Sequence, residues 1–242
     1  MSNVKKQVIL FVVEGPSDEE SLAGALRKIF ADRQLLVQVT HCDLTSERGA
    51  AAHNIRARIG QAVKDYLAET GLRNSDIAGV IQITDTDGSF VDDTLVITDE
   101  KVGGIRYSTE EIRTPNAEAI VERNARKRTN VPTLVKTKSI LKSIPFQIVF
   151  FSSSLEHVLH NKLNLSSAEK KRLASEFSRK YGEGDADFLA FITNAEFSLH
   201  ALGYNGSWEF IFEGKHSLER WTNLAVCFNA VKRPDSDDAP SR

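Results

Sequence analysis

The chain has 242 residues, enough for one large α/β domain or for one domain with an extension. Its formal net charge of −2 excludes a basic field over the whole molecule, so any nucleic-acid contact must come from a local basic patch. The two cysteines, Cys42 and Cys227, each lie in an apolar stretch, which is typical of buried thiols in a reducing compartment and not of a disulfide framework.

The first part of the chain alternates apolar, β-rich runs with helical patterns. Residues 7–13 predict a strand buried on both faces; the run is too short to span a membrane, and we expect a cytoplasmic protein without membrane contact. Ser17, followed by Glu20, predicts a helix start with a capping box. A strand at 35–42, a helix at 50–69 and a strand at 78–84 are predicted next. This alternation indicates a parallel sheet with right-handed crossovers.

The pattern then becomes less regular. Residues 88–114 predict an excursion with a hairpin between 94–98 and 105–108, and a helix at 116–128 leads into a looser basic segment that ends at Lys142. The remaining predictions are a fourth strand at 146–151, helices at 166–181, 185–201 and 216–229, and an aromatic-rich turn region at 203–214. Residues 1–160 would form the catalytic domain, with an insertion at about 88–142, residues 161–231 a helical extension, and residues 232–242 a disordered tail.

Two acidic motifs each follow an apolar strand. Glu14-Gly15-Pro16-Ser17-Asp18 follows the first strand, and Asp85-Thr86-Asp87-Gly88 ends the third. Ligands of open α/β sheets bind at the carboxyl ends of the strands, so these acids are expected at one rim. Carboxylates at close range raise one another's pKa, and a hard cation such as Mg²⁺ relieves their repulsion. The motifs therefore predict a Mg²⁺ site for phosphodiester chemistry, in which Mn²⁺ can substitute. The alternatives are an ordinary turn at Asp85–Gly88 and a helix N-terminus favoured by Asp18.

In this order the two motifs resemble the Toprim (topoisomerase–primase) domain, and most closely its OLD-like nuclease branch. The resemblance covers roughly residues 7–160 and implies an α/β fold with a Toprim-like parallel sheet of about four strands flanked by helices. It implies that Glu14, Asp85 and Asp87 are catalytic and bind Mg²⁺ in a two-metal mechanism, with Asp18 helping to hold the second ion. OLD-like proteins often work with an ABC-type ATPase in defence against phage. Because this chain has no Walker A motif, such a partner would be a separate protein.

Glu156 is a fifth acidic candidate, because it follows the fourth strand and OLD-like domains carry a glutamate at a comparable position. We include it among the metal ligands; the equally weighted alternative is an ordinary glutamate in the first turn of a helix. His157 and His160 lie one turn apart, but no cysteine or further histidine lies near them in sequence. We interpret them as surface or supporting histidines and not as metal ligands.

Residues 123–142 contain basic residues and no acidic residue. A solvated helix face normally mixes charges, so this pattern favours a surface that binds phosphates near the acidic rim. Lys136 or Lys138 is the candidate for stabilising transition-state charge. The candidates for nucleic-acid binding are Arg123, Arg126, Lys127, Arg128 and Lys142. The alternative is a flexible charged loop that aids solubility. A second cluster, Lys170-Lys171-Arg172, has acidic neighbours and is typical of a solvated helix face.

The leading hypothesis is a Mg²⁺-dependent nuclease acting on DNA or RNA. A topoisomerase is disfavoured because no tyrosine-bearing cleavage domain of adequate size is visible, and a primase because no zinc-binding module is. One alternative is a phosphatase of the haloacid dehalogenase type, with Asp85 as nucleophile and Asp87 as acid/base, although no pair of aspartates follows a later apolar strand. Another is a non-catalytic Toprim interaction or sensor module. The sequence also leaves a homo-oligomer open.

Overall fold

The computed structural model describes residues 7–31, 35–41 and 44–229. In these residues the strands are β1 Gln7–Val13, β2 Leu35–His41, β3 Ile77–Asp85, β4 Val96–Thr98, β5 Arg106–Tyr107, β6 Ile112–Thr114, β7 Ser139–Ile140 and β8 Ile144–Phe151. The α-helices are α1 Pro16–Phe30, α2 Ile55–Thr70, α3 Ala117–Val135, α4 Leu155–His160, α5 Ser167–Phe177, α6 Phe188–Ile192 and α7 Gly203–Ile211. A π-helical segment covers Ser178–Glu183, and a 3₁₀ helix covers Leu224–Asn229.

The centre of the fold is a five-stranded mixed sheet of order β2-β1-β3-β8-β7. The first four strands are parallel, and β7 is antiparallel to β8 at one edge. Parallel strands need long crossover connections, which contain α1, α2 and α3. The predicted α/β class is confirmed, with β7 as an edge strand that the sequence did not predict.

Both faces of the sheet are covered, which explains the uninterrupted apolar sequence of β1. Alternate residues of a strand point to opposite faces. Ile9 and Phe11 lie in a core with α1 and α5, whereas Val8 and Leu10 lie in a second core with α2 and α3. With both faces filled by apolar side chains, the ends of the strands are left for polar chemistry.

A second, three-stranded sheet of order β4-β6-β5 forms within the excursion after β3. β6 lies in the middle, parallel to β4 and antiparallel to β5. The predicted direct hairpin between 94–98 and 105–108 is therefore wrong. β6 could not be predicted from the sequence, because it has only three residues, contains Arg113 and follows the charged residues Glu110 and Glu111.

The start of α1 differs from the prediction in its capping residue. The helix begins at Pro16, and the Asp18 carboxylate accepts the Gly15 N–H at 3.0 Å. Glu20, the expected capping partner of Ser17, is exposed instead. One residue of the acidic motif thus fixes the turn between β1 and α1.

The helix bounds of α2 and α3 also shift. α2 begins at Ile55 and not at residue 50. α3 continues beyond residue 128 through Pro132, because Val131 and Leu134 are buried in the core on that side of the sheet. Most of the segment expected to be loose is therefore helical.

The C-terminal third packs on both faces of the sheet. Phe177 and Phe188 lie in the core with α1, whereas Trp208 and Ile211 lie in the core with α2. The helix expected at 185–201 is reduced to α6, and α7 lies within the expected turn region. The helix expected at 216–229 is wrong, because turns and a 3₁₀ helix replace it. These residues share the cores of the sheet, so they do not form an extension with a core of its own.

Residues 217–223, which we call the C-terminal strap, bind the loops after β3 and β8. The Ser217 carbonyl accepts hydrogen bonds from Thr86 Oγ1 at 2.8 Å and from the Ser153 N–H at 2.9 Å. The Trp221 carbonyl accepts the Ser152 N–H at 2.8 Å. One segment therefore holds both loops in place.

The Asn223→Ala variant is expected to lose about 2 kcal/mol of unfolding free energy. Asn223 is fully buried; its Oδ1 accepts the Phe150 N–H at 2.8 Å, and its amide donates to Ser207 Oγ at 3.0 Å. Alanine leaves these groups buried without partners. Urea unfolding measures the loss, with the exposed Asn205→Ala as control. Equal midpoints for the two variants would contradict the anchoring of the strap by Asn223.

Two sequence expectations fall on residues that the structure does not describe, namely Cys42 and the tail 232–242. Cys227 is fully buried, as expected. Among the described residues, no helix has the length and apolar character needed to cross a membrane.

Candidate functional site

The two acidic motifs meet at one rim of the main sheet. Glu14 follows β1, and Asp85 ends the neighbouring strand β3. Glu14 Oε1 accepts hydrogen bonds from the Asp85 N–H at 3.1 Å and from Thr84 Oγ1 at 2.6 Å. The Glu14 carboxylate is thus fixed across the ends of both strands.

Asp87 lies in a tight turn directly after β3. Its backbone is left-handed, with a φ of 51°, and its N–H donates to the carbonyl of Ser153 at 3.0 Å. Gly88 follows with a φ of 64°, and a Cβ at this position would lie 2.4 Å from a methyl group of Leu218. A side chain at residue 88 would therefore need the buried Leu218 to move, in a backbone conformation that favours glycine. Backbone strain of this kind persists where the surroundings fix it, and it is concentrated at functional sites.

Lys127 lies in the middle of the acidic rim. Its side chain is fully buried, and its Nζ lies 2.6 Å from Asp87 Oδ2, 2.7 Å from the Asp85 carbonyl oxygen and 3.3 Å from Glu14 Oε1. The prediction that Lys127 contacts nucleic acid is wrong in this structure, because protein acceptors enclose the ammonium group.

Glu156 brings a fifth carboxylate to the rim from the first turn of α4. Glu156 is 3% exposed, and its Oε2 lies 3.1 Å from Lys170 Nζ. Its Oε1 is buried and accepts no hydrogen bond from the described residues. Lys170 was expected on a solvated helix face, whereas it reaches from α5 to this buried carboxylate.

Two carboxyl groups at the rim lack sufficient positive charge around them. Burial and the charges of Glu14 and Asp18 raise the pKa of Asp85 well above its usual value. Burial and the charge of Glu156 raise the pKa of Asp18 to about 6. Both shifts are those expected where carboxylates crowd together without a counter-ion.

Asp87 behaves differently from these two acids. Burial alone would raise the pKa of Asp87, but the neighbouring charges of Lys127 and Arg123 bring it below its usual value. The rim therefore contains one carboxylate neutralised by protein cations beside others that repel each other.

Asp18 is expected to make the protein less stable as the pH rises towards neutrality. Its pKa is about 6 in the folded protein against an ordinary 3.8. Between these values the folded state binds more protons than the unfolded state, so the free energy of unfolding falls as the pH rises. Asp18→Asn should gain on the order of 1–2 kcal/mol over the wild type near pH 7.5 and little near pH 4.

Thermal unfolding of both proteins across this pH range measures the Asp18 contribution. Asparagine retains an oxygen that accepts the Gly15 N–H, so the turn before α1 is preserved. The exposed Glu20→Gln is the control for loss of a charge on the same helix. A gain for Asp18→Asn that stays constant with pH would contradict the assignment.

The rim suits a hard divalent ion in its chemistry but does not form a complete metal cage. The candidate ligands are carboxylate oxygens, and the buried Oε1 of Glu156 has no partner among the described residues. In this part of the chain, no three or more His, Cys, Asp or Glu side chains are grouped so that they could hold a metal ion. Mg²⁺ commonly uses one or two carboxylates together with water and substrate phosphates. The rim fits that mode of binding.

A cavity of about 170 Å³ lies beside the acidic rim. Its lining includes three carboxylates and two ammonium groups: Asp85, Asp87, Glu156, Lys162 and Lys170. Tyr107 also lines it, and burial together with the charge of Asp87 raises the pKa of this phenol to about 12. The cavity therefore combines groups that attract a cation with groups that attract a phosphate.

The arginines of the basic segment bind loops of the protein itself. Arg123 donates to Tyr107 Oη at 2.7 Å and to the Asp87 carbonyl at 2.9 Å. Arg126 and Arg128 each donate to a backbone carbonyl of a neighbouring loop, at 3.0 and 3.1 Å. The predicted phosphate-binding surface is thus used largely to fix loops around the rim, and the alternative of a flexible charged loop is wrong for the part within α3.

Lys136, Lys138 and Lys142 lie towards the opposite end of the sheet. Lys136 and Lys138 line a separate cavity of about 660 Å³ that includes Gly79, near the start of β3. Asp85 ends that strand, roughly 20 Å further along an extended chain. The expectation that Lys136 or Lys138 stabilises charge at the acids is therefore wrong. Lys142 is in the turn between β7 and β8 and does not reach the rim either.

The two histidines of α4 are more buried than predicted. His157 is 4% exposed, and burial together with the charge of Arg220 lowers its pKa to about 4. His160 is partly buried and packs edge to face on Phe177, with ring centroids 5.6 Å apart. His157 is therefore a neutral packing residue near pH 7 and not a surface histidine.

Comparisons of the chain with protein-family models, with curated proteins and with solved structures gave no match. The Toprim resemblance therefore depends on the two acidic motifs, and the argument for function depends on the chemistry of the rim.

Proposed function

We propose that the protein hydrolyses phosphodiester bonds of nucleic acid with Mg²⁺ bound at the acidic rim. The observation that carries the proposal is the convergence of Glu14, Asp85 and Glu156 from the ends of three neighbouring strands beside a small cavity. Crowded carboxylates favour a divalent ion, and ammonium groups beside them favour a phosphate.

The residues of the rim would have separate tasks. Asp85 and the free Oε1 of Glu156, which both lie at the cavity, would bind the ion together with water and substrate phosphate, and the charge of Asp18 would favour it. The bound ion would supply Lewis-acid stabilisation to negative charge on the phosphate. Lys162 and Lys170, which also line the cavity, would attract the phosphate backbone.

The finer expectations belong to the same proposal: membership of the Toprim family, kinship with its OLD-like branch, a separate ABC-type ATPase partner and a homo-oligomer. The dehalogenase-type alternative lacks an aspartate pair after a later apolar strand. The non-catalytic alternative is disfavoured, because carboxylates that repel each other lower the stability of the fold without giving a purely structural module any benefit.

Incubation of the purified protein with plasmid DNA, single-stranded DNA and tRNA in Mg²⁺, Mn²⁺ or EDTA tests the proposal. We expect cleavage of at least one nucleic acid that depends on the divalent ion and increases as the pH rises above about 6, where Asp18 ionises. Hydrolysis of small phosphate esters alone would favour the phosphatase. Inactivity on every substrate, including after addition of a co-purifying ATPase, would contradict the proposal.

A further inference from the structure

The acidic rim is divided into two halves by its protein cations. On one half, the Lys127 ammonium lies between Asp87 Oδ2 at 2.6 Å and Glu14 Oε1 at 3.3 Å. Arg123 adds a second positive charge 4.0 Å from the other oxygen of Asp87. The carboxylates of this half already have counter-ions.

The other half contains Asp18, Asp85 and Glu156. Its protein cation is Lys170, which is partly exposed and bonds one oxygen of Glu156. The second oxygen of Glu156 is buried without a partner among the described residues, and the side chain lines the 170 Å³ cavity with Asp85, Asp87 and Lys162. An unpartnered buried carboxylate oxygen is costly, so this oxygen has a place for a cation that Lys170 does not fill.

We infer that the rim binds a single divalent ion on the Glu156 side, because the Lys127 ammonium occupies the place between Glu14 and Asp87 that a second ion would need. Five carboxylates face Arg123, Lys127 and Lys170, with Lys162 also at the cavity, so the carboxylates outnumber the protein cations. A further ion would have to lie close to a buried ammonium group, with strong repulsion in a medium of low dielectric constant. The inference rests on the proposed function. In place of the two metal ions expected from the sequence, it has one metal ion and the ammonium group of Lys127.

Isothermal titration of the 242-residue chain with Mn²⁺, in the absence of nucleic acid, measures the number of bound ions. The wild type should bind one ion per chain. Two isosteric variants then separate the halves of the rim. Glu156→Gln should weaken Mn²⁺ binding at least about tenfold, whereas Asp87→Asn should keep one ion with affinity changed by less than about threefold. Thermal unfolding verifies that both variants are folded. The number of ions bound by the wild type tests the inference even if a variant does not fold.

Two Mn²⁺ ions per wild-type chain, or equal loss of binding in both variants, would overturn the inference. Two ions together with metal-dependent cleavage would leave the proposed function intact. No Mn²⁺ binding together with no cleavage of any nucleic acid would overturn both. Retention of the ion in Glu156→Gln with loss in Asp87→Asn would reverse the assignment of the two halves and so reject it.

Discussion

Replacing Asp85 with asparagine is expected to slow metal-dependent cleavage by at least about 10²-fold while making the folded protein more stable. The side chain keeps its shape, and the backbone N–H of residue 85 still donates to Glu14. The variant removes the Asp85 carboxyl group, whose pKa is raised by burial and by the charge of Glu14. The repulsion between carboxylates of the rim therefore falls. If Asp85 binds the ion as proposed, loss of its charge removes stabilisation of the transition state.

Single-turnover cleavage and thermal unfolding at the same pH measure the two effects of Asp85→Asn. The exposed Asp65→Asn on α2, which removes a carboxylate far from the rim, should change neither quantity appreciably. Cleavage by Asp85→Asn at the wild-type rate would exclude the rim as the active site. A variant that lost both stability and activity would show that Asp85 is needed for the fold and would not support the proposed role.

Replacing Lys127 with methionine should lower the unfolding free energy by about 3–5 kcal/mol, enough to lower the melting temperature by roughly 10 °C. Methionine fills a similar volume but leaves Glu14, Asp87 and the Asp85 carbonyl without the ammonium group that they share. Removal of one partner from a buried ion pair is far more costly than loss of a surface pair.

Thermal and urea unfolding measure the effect of Lys127→Met. Lys138→Met is the matched control, because that lysine is exposed at the other end of the sheet and should change stability by less than about 0.5 kcal/mol. A similar small loss for both variants would mean that the Lys127 ion pairs contribute little to the fold. Part of the loss should be recovered in Lys127→Met combined with Asp87→Asn, since the second substitution removes an unpaired charge.

The sequence was sufficient to predict the acidic rim because topology alone brings it together. Glu14 and Asp85 each end an apolar strand, and adjacent parallel strands end at the same edge of a sheet. The position of Lys127 could also have been found. Ile120, Asn124, Lys127, Val131 and Leu134 follow helical spacing along α3, and all of them are buried. A count of positive charges conceals that stripe, whereas helical periodicity reveals which lysine faces the core.

The partners of the rim could not be predicted in the same way. The pairing of Glu156 with Lys170 depends on how α5 packs, which no local pattern encodes. The contacts of the C-terminal strap are made largely by backbone groups of Ser217 and Trp221, and backbone carbonyls leave no signature in the sequence. Tertiary contacts of this kind also override the helical pattern at 216–229, where the structure has turns and a 3₁₀ helix instead.

The C-terminal strap determines when, during synthesis of the chain, the loops of the acidic rim can be fixed. A ribosome makes both acidic motifs long before it makes Ser217, whose carbonyl holds the loops after β3 and β8. A nascent chain therefore carries the acids without the segment that fixes them. If the protein cuts nucleic acid as proposed, its rim would be completed only after Ser217 has been synthesised, so the nascent chain would not cleave nearby messenger RNA before that point.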